Sequence, residues 1–334
     1  MPSSVTFTSS EPYEFEASVR AGQAQVAITA RGAYRAAAQR ITLHNLWMQR
    51  IGQSLPHVAR VRADKSRSPV MFLPDFGHPP IYYSGKAVSP GDLVILSSGA
   101  EFYQRAPAAC YQATMAMTPE ALAEVGRVLV GYDLRAPPVT RIVRPPPREM
   151  SRLMSLHRAA SDLVAAAPET LEHPEVAKAI EQSLVHAMVR CLTSDAETIE
   201  PRSSGHTSAT VMRRLEDLLE EKAGEPLYVA ECCAQLGVTD RTLREYCQQH
   251  VGMGAHRYLW LRRMHLARRL LVQADRKTGS VTTIANDCGF GELGRFAVKY
   301  HQLFGEPPSA TLNRPSGTGW SSDGFFHQWL AATA

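Results

Sequence analysis

The sequence predicts an α+β protein in which a strand-rich N-terminal half is followed by an all-helical C-terminal domain. Residues 22–117 contain short apolar or alternating runs separated by turn-forming residues, which is typical of strands. At Thr118 the apolar spacing changes to that of helices, and residues 208–314 follow that spacing almost throughout. A length of 334 residues also favours two domains over one.

The composition is that of a globular protein. Apolar residues make up 44% and charged residues 20%, and the formal net charge is +4, which permits nucleic-acid binding without requiring it. No apolar run approaches the roughly 18 residues that a membrane span needs, and the N-terminal residues lack the basic start and apolar core of a signal peptide. We therefore expect a cytoplasmic protein that does not enter a membrane.

The six cysteines predict free thiols. None forms a Cys-x-x-Cys pair, and the adjacent Cys232 and Cys233 would point to different sides of a helix. Because the cytosol is reducing, we expect them to be buried and unpaired. The sequence predicts no cofactor.

The strand-like runs predict a barrel or sandwich with flanking helices. Apolar runs begin at Ala24 and Gln39, and others lie at His57–Val61, Val70–Leu73, Ile81–Tyr83, Leu93–Leu96 and Tyr111–Met117. Glycine and proline turns between many short strands are typical of these folds.

Three helices are expected after the strands. Thr118-Pro119-Glu120 is a helix start, with a capping residue, a proline at the first helical position and an early acid, and this helix should reach about Val130. Two amphipathic helices follow a proline-rich stretch, at about Arg148–Ala166 and Pro174–Leu192. These two helices either cover the barrel or pair two subunits through His157, Leu163, Leu184 and Met188.

The expected domain boundaries follow from these breaks. Residues 1–192 form the N-terminal domain, with its helical segment at about 118–192, and the polar residues 193–207 form a linker. Residues 208–314 form the helical domain. Residues 315–334 form a flexible tail with an apolar cluster at Phe325–Leu330.

An internal repeat in the helical domain predicts two helix-turn-helix units. In each, a small residue is followed four positions later by glycine and then by an apolar residue: Cys233, Gly237 and Val238 in the first unit, Ala285, Gly289 and Phe290 in the second. The small residue lets two helices cross closely, and the glycine adopts the left-handed conformation of a sharp turn. One such window also fits a plain helical hairpin, but two copies around one long helix favour a helix-turn-helix pair.

The second helix of each unit is expected to face DNA. Leu243 and Cys247 in the first unit, and Phe296 and Tyr300 in the second, are spaced four apart and should face the core, which leaves the opposite face exposed. A central helix at about Ala255–Leu271 should join the units. Its arginines form a solvated face, contact phosphates or pair with acids of neighbouring helices; they are Arg257, Arg262, Arg263, Arg268 and Arg269.

This domain resembles the AraC/XylS family of bacterial regulators over about residues 208–314. The landmarks are Thr239-Asp240-Arg241-Thr242-Leu243, Gly252, Tyr258, Arg263 through Ala267-Arg268, Ile284-Ala285, Cys288-Gly289-Phe290, Phe296, Gly305-Glu306-Pro307-Pro308-Ser309 and Arg314. The sequence departs from the family pattern at Cys247, Glu245 and Leu293, where an aromatic residue, an arginine and a polar residue are common. These departures concern base reading rather than the fold.

The resemblance implies that two reading helices enter successive major grooves on one face of DNA, about 34 Å apart. The first is expected at about Asp240–His250 and the second at about Glu292–Gln302. The implied base contacts are Arg241, Thr242, Arg244, Leu293, Gly294, Arg295 and Val298, and the implied phosphate contacts are Thr239, Glu292 and Lys299. Because Gly294 has no side chain, we expect the first unit to read more of the sequence.

The strand-rich half is similar to the cupin-like sensing domain of many family members, including the ethanolamine-operon-regulator group. The likeness lies in Ser89-Pro90-Gly91-Asp92-Leu93-Val94-Ile95-Leu96. A cupin enzyme needs metal ligands, usually two histidines one residue apart and a carboxylate. His44, His57 and His78 form no such pair, so we expect neither a metal site nor an enzyme.

Aromatic residues of the barrel are either plain core or the lining of an effector pocket. They are Trp47, Phe72, Tyr82, Tyr83, Phe102 and Tyr111. The expected partners are promoter or operator DNA, RNA polymerase, an unidentified small-molecule effector and a second copy of the chain. The sequence thus predicts an effector-responsive transcription regulator, more an activator than a repressor. The alternatives are a metal-dependent cupin enzyme and a non-specific architectural DNA binder.

Overall fold

The computed structural model describes residues 2–19, 22–75, 77–194, 197–198, 205–222, 227–275 and 279–314. The strands are β1 (Ser3–Ser9), β2 (Gly22–Ile28), β3 (Ala36–Thr42), β4 (Leu46–Gln53), β5 (His57–Ala63), β6 (Ser68–Phe72), β7 (Ile81–Tyr83), β8 (Lys86–Val88), β9 (Leu93–Ile95), β10 (Glu101–Ala106), β11 (Cys110–Met117), β12 (Arg141–Arg144) and β13 (Glu197–Thr198). The helices are α1 (Pro12–Ser18), α2 (Pro119–Val130), α3 (Pro147–Ala166), α4 (Pro174–Thr193), α5 (Gly205–Glu221), α6 (Val229–Leu236), α7 (Asp240–Val251), α8 (Ala255–Gln273), α9 (Val281–Asp287), α10 (Leu293–Phe304) and α11 (Pro308–Leu312). A short 3₁₀ helix spans Pro168–Glu172.

Two antiparallel sheets form the N-terminal domain, which confirms the predicted α+β class. The larger sheet has the order β1-β3-β4-β11-β6-β9-β12-β13, and the smaller has the order β2-β5-β10-β7-β8. Their inner faces share a core in which Met71 of the larger sheet packs with Tyr83 and Phe102 of the smaller one. The arrangement is a sandwich of two sheets, as alternating short strands predict.

Helices α2, α3 and α4 cover the outer face of the larger sheet. His157, Leu184 and Met188 are each 1% exposed and lie against their own sheet. These three side chains are therefore not available to pair two subunits, and of the four residues considered for that role Leu163 is the exposed one. Between the two expectations for these helices, the structure supports the covering role.

Several boundaries differ from the sequence prediction. Strand β1 and helix α1 precede residue 22, where the strands were expected to begin. The run that starts at Gln39 is a hairpin of β3 and β4 rather than one strand. The expected linker at 193–207 contains β13, which pairs with β12, and helix α5 begins at Gly205 rather than Ser208. The predicted tail lies outside the described residues.

The C-terminal domain consists of α5 to α11, and the N-terminal domain packs against both of its units. Val58 and Tyr103 of the smaller sheet belong to the core of the first unit. Val26 and Ala38 belong to the core of the second. Among the described helices, none is both long and apolar enough to cross a bilayer.

Candidate nucleic-acid interface

The two predicted turns have the same geometry. Gly237 has φ of 69° and Gly289 has φ of 77°, both in the left-handed region that favours glycine. The amide of Val238 donates to the carbonyl of Cys233 at 3.1 Å, and the amide of Phe290 donates to that of Ala285 at 2.9 Å. These bonds close both turns in the same way, as in the Schellman motif. The internal repeat in the sequence is therefore a structural repeat.

The small residues of the two turns differ in burial. Ala285 is fully buried between helices, as expected for a close crossing. Cys233 is half-buried, and its neighbour Cys232 is the fully buried thiol of the first unit. In the first unit, Cys232 therefore provides the close packing that the sequence predicts for Cys233.

Helix α7 presents the first set of predicted DNA contacts. It begins after Thr239, whose Oγ1 accepts a hydrogen bond from the amide of Thr242 at 3.1 Å, so the predicted cap is confirmed. Leu243 is fully buried, whereas the side chains of Arg241 and Arg244 are 86% and 63% exposed. The exposed face of α7 is therefore the face that carries these arginines.

Acidic neighbours on α7 hold both arginines. Arg241 lies 3.0 Å from Glu245, and Arg244 lies 2.8 Å from Asp240, each one helical turn away. Exposed ion pairs of this kind contribute at most about 0.5 kcal/mol. Either guanidinium can therefore leave its carboxylate partner and bind a guanine edge or a phosphate with a small loss of free energy.

Helix α10 presents the second set and begins one residue after the predicted Glu292. Phe296 and Tyr300 are buried, and the remaining residues of the predicted set are exposed on the other side: Glu292, Leu293, Gly294, Arg295, Val298 and Lys299. Added atoms at Gly294 would meet open space. This face carries two cations, Arg295 and Lys299, and one acid, Glu292, which lies 3.9 Å from Arg295, and Leu293 adds an apolar side chain.

The arginines of α8 divide into two groups. Arg262 pairs with Glu216 of α5 at 3.2 Å, and Arg268 pairs with Glu11 of the N-terminal domain at 2.8 Å. Arg257 is exposed and makes no ion pair within the described part of the chain. Acid pairing therefore accounts for part of the arginine run, and Arg257 remains available for another partner.

A network around Glu11 joins the N-terminal domain to the second unit. Arg268 and Arg314 both pair with Glu11 and with Glu306. Burial raises the pKa of Glu306, but hydrogen bonds from Thr311 and Arg314 and the charges of Arg268 and Arg314 outweigh this and lower it below its usual range. Sequence reasoning missed Glu11, although Pro12 after it is a helix-start signal.

A cleft of about 800 Å³ lies between α8, α10 and the loop that joins β2 to β3. Its cationic side chains are Arg31, Arg257, Arg263, Arg295 and Lys299, with His256 beside them. Among its lining residues Glu292 is the one acid. His256 Nε2 also lies 3.9 Å from Asp240 of α7, so the cleft extends from the second predicted reading helix to a residue that contacts the start of the first.

The six aromatic residues proposed for an effector pocket do not come together. Tyr83 and Phe102 pack on the inner face of the sandwich, with ring centroids 5.0 Å apart. Phe72 lies on the outer face, where its ring meets that of His157. Tyr82 is half-buried under the guanidinium of Arg105. Trp47 and Tyr111 are buried, and none of the six lines the cleft.

The histidines considered as metal ligands have ordinary polar neighbours. His57 is fully buried between Gln53 and the carbonyl of Leu55, at 2.9 Å from each, and burial lowers its pKa to about 4. His44 lies 3.6 Å from Glu181. Within the described ranges, no group of three or more histidine, cysteine or acidic side chains is arranged to hold a metal ion.

Comparisons with known proteins match part of the chain. Residues 232–314 match the family model described as a helix-turn-helix domain. Over 148 residues the chain is 35% identical to the probable thc operon regulatory protein of Rhodococcus erythropolis, covering 43% of this chain and 44% of that protein. Over 137 residues it is 31% identical to the transcriptional activator RhaS of Pectobacterium carotovorum subsp. carotovorum (strain PC1), covering 41% and 47%. The chain thus spans less than half the length of these two relatives.

A solved structure is similar over a longer stretch. The crystal structure of the AraC-like transcriptional activator CuxR covers 84% of this chain and 99% of its own, with 14% identity and a TM-score of 0.41. This likeness is distant.

Two equivalent turns, each followed by an exposed helix, define a DNA-binding domain with two helix-turn-helix units. The helix-turn-helix family model and the named transcription regulators that match part of the chain agree with this architecture. These comparisons agree with the resemblance inferred from the sequence landmarks of this region. The cupin-like resemblance of the N-terminal half stays a prediction.

Proposed function

We propose that the protein is a cytoplasmic, sequence-specific transcription regulator that reads two successive major grooves with α7 and α10. The observation that carries this proposal is the repeated turn geometry at Gly237 and Gly289, each followed by a helix with one buried and one exposed face. Arginine binds guanine O6 and N7 in a bidentate manner. Arg241 and Arg244 on the exposed face of α7 are the residues that we assign to this role.

The proposal includes promoter DNA and RNA polymerase as partners and an effector-responsive activator as the mode of action. It assigns no catalytic activity to the chain. The related thc operon regulatory protein and RhaS are named as regulators, which supports a regulatory role here.

We place the effector pocket on the inner face of the sandwich. Gln49 there is 2% exposed, and neither atom of its side-chain amide has a hydrogen-bond partner among the described residues. Buried polar groups without partners are costly, by about 1–3 kcal/mol each. We therefore propose that Gln49 binds a small polar effector on this face, where Tyr83 and Phe102 also pack. A second copy of the chain would contact exposed residues such as Leu163.

The test begins with selection of bound fragments from genomic DNA. Arg241→Ala and Arg244→Ala are then compared with the parent on a selected fragment and on random-sequence duplex. Each substitution should weaken binding to the selected fragment by about tenfold to a hundredfold, since a bidentate contact contributes about 1–3 kcal/mol of discrimination. Binding to random duplex should change much less, because phosphate contacts dominate it.

Lys178→Ala serves as the control, because Lys178 is exposed on α4, on the helical layer of the N-terminal domain. Circular dichroism and thermal melting should be the same for all four proteins. If both arginine variants bind the selected fragment as tightly as the parent, the assignment of α7 is wrong. If the parent binds selected and random duplexes equally, the protein is a non-specific architectural binder instead.

A further inference from the structure

We propose that the N-terminal domain itself contacts the DNA backbone, through Arg31 acting together with Arg257 in the cleft between the two reading helices. This inference rests on the proposed function. The N-terminal domain then has a DNA-contact site in addition to its proposed sensing role. The group that occupies the cleft is DNA phosphate.

The position of the cleft supports this occupant. One end of the cleft is formed by Gly291, Glu292 and Arg295, at the start of α10. The other reaches the start of α8, where His256 lies beside Asp240 of α7. When two helices of one protein enter successive major grooves, the sugar-phosphate backbone between those grooves passes between them. The cleft is therefore where a phosphate backbone would lie.

The charge of the cleft supports the same occupant. Five permanently charged cations line it against one acid, Glu292. Arg263 is held by the carbonyl of Gly289 and by the ring of Phe290, so its charge is fixed within the wall. Arg31 and Arg257 are exposed, and neither forms an ion pair or a side-chain hydrogen bond within the described residues. Two unpaired cations beside a basic wall are suited to polyanion binding.

The loop that carries Arg31 is held in place. The amide of Thr29 donates to the carbonyl of Pro56 at 2.8 Å, and the amide of Arg35 donates to Ser54 Oγ at 2.8 Å. Just before the loop, the carbonyl of Ile28 lies 3.1 Å from Nε2 of His265 on α8. The loop is thus fixed both to its own sandwich and to the central helix. Arg31 is presented to the cleft without the entropic cost of ordering a free loop.

The experiment measures binding of the full chain to two labelled duplexes of about 40 base pairs, one selected from genomic DNA and one of random sequence, over a range of salt concentrations. Arg31→Ala should weaken binding to both duplexes by a similar factor, about threefold to tenfold, and should reduce the salt slope by about 0.9. Arg31→Ala combined with Arg257→Ala should reduce it by about 1.8. Arg31→Lys keeps the charge and should retain the parental slope.

Lys178→Ala is the matched control, since it removes an equal charge from an exposed position on α4. It should change neither affinity nor slope. If Arg31→Ala binds both duplexes with the parental affinity and slope, the inference is overturned while the proposed function stands. If the parent has no preference for the selected duplex, the proposed function fails, and the Arg31 result then concerns non-specific binding alone.

Discussion

Glu216 is a buried carboxylate at the junction of the two domains. Its side chain is fully buried on α5, where it accepts hydrogen bonds from Tyr258 of α8 and, at 3.1 Å, from Tyr103 of β10. Arg262 adds a third contact at 3.2 Å. Tyr258, one of the family landmarks, therefore has a structural role in orienting this carboxylate.

We expect Glu216→Ala to lower the free energy of unfolding by about 3–5 kcal/mol, because removing one partner of a buried charge pair leaves the other without compensation. Urea unfolding measures the change. Glu220→Ala is the control, since Glu220 on the same helix also pairs with Arg60 but has a side chain that is 43% exposed. That substitution should cost less than about 1 kcal/mol. Equal losses in the two variants would contradict the role given to Glu216.

Residues whose role depends on neighbours in the sequence can be predicted from it. Residues whose partners are distant in the sequence cannot. Thr239 and Gly237 were identified because a helix cap and a left-handed turn depend on neighbouring residues alone. Glu216 and Glu11 were missed because their partners lie on other elements, Tyr258 being 42 residues from Glu216 and Arg268 being 257 residues from Glu11. No spacing rule connects such pairs.

At the scale of elements, the hairpin of β3 and β4 differs from the single strand that the sequence predicts, because a residue distant in the sequence holds its turn. The turn between β3 and β4 contains no glycine or proline. The amides of His44 and Asn45 donate instead to the carboxylate of Glu181 on α4, at 2.6 and 3.1 Å. A distant side chain thus stabilises this turn. Strand β1 was missed for a related reason, since its pairing with β3 leaves Val5 exposed and gives a weak alternation.

Helix α3 packs against the larger sheet through His157, whose ring meets that of Phe72 and stays neutral. Burial, with the nearby charge of Arg50, lowers the pKa of His157 from 6.5 to about 3. The unfolded chain therefore binds a proton at this residue below about pH 6.5, whereas the folded chain does not until near pH 3. Stability from the neutral ring is present above pH 6.5 and is lost as the pH falls from there towards 3.

We expect the free energy of unfolding to fall on acidification from about pH 7.5 to about pH 5, with His157 contributing about 2 kcal/mol of the loss. Chemical unfolding at the two pH values measures this difference. His157→Leu should reduce the pH dependence by that amount, whereas His186→Leu, at an exposed position on α4, should not. An unchanged pH dependence in His157→Leu would show that this ring is already protonated or exposed.

At the scale of the whole molecule, two networks of ion pairs among the described residues join the two domains. One is centred on Glu216 and includes Arg60 of β5, and the other is centred on Glu11 and includes Arg268 and Arg314. Each network contacts a different helix-turn-helix unit, because Glu216 lies on α5 and Glu306 lies before α11. The N-terminal domain is thereby linked to the position of both units.

Glu11→Gln should lower the free energy of unfolding by about 3 kcal/mol, since Arg268 and Arg314 would lose a buried counter-charge. Amide hydrogen exchange should show faster exchange in α11 and in the second half of α8, and little change in α7. Glu14→Ala, on the exposed side of helix α1, which begins directly after Glu11, should leave both measurements close to those of the parent. Uniform acceleration across both units would argue against a local role for Glu11.

The pairing of Glu11 with Arg314 also constrains the order in which parts of the protein fold during synthesis. These residues are separated by 303 positions, so a chain emerging from the ribosome exposes the carboxylate long before its guanidinium partner is synthesised. Domains fold as units from the N-terminus during synthesis. The sandwich can therefore be complete while Glu11 is still exposed to water, and Glu11 pairs with Arg314 only after helix α11 and the residues just beyond it have left the ribosome.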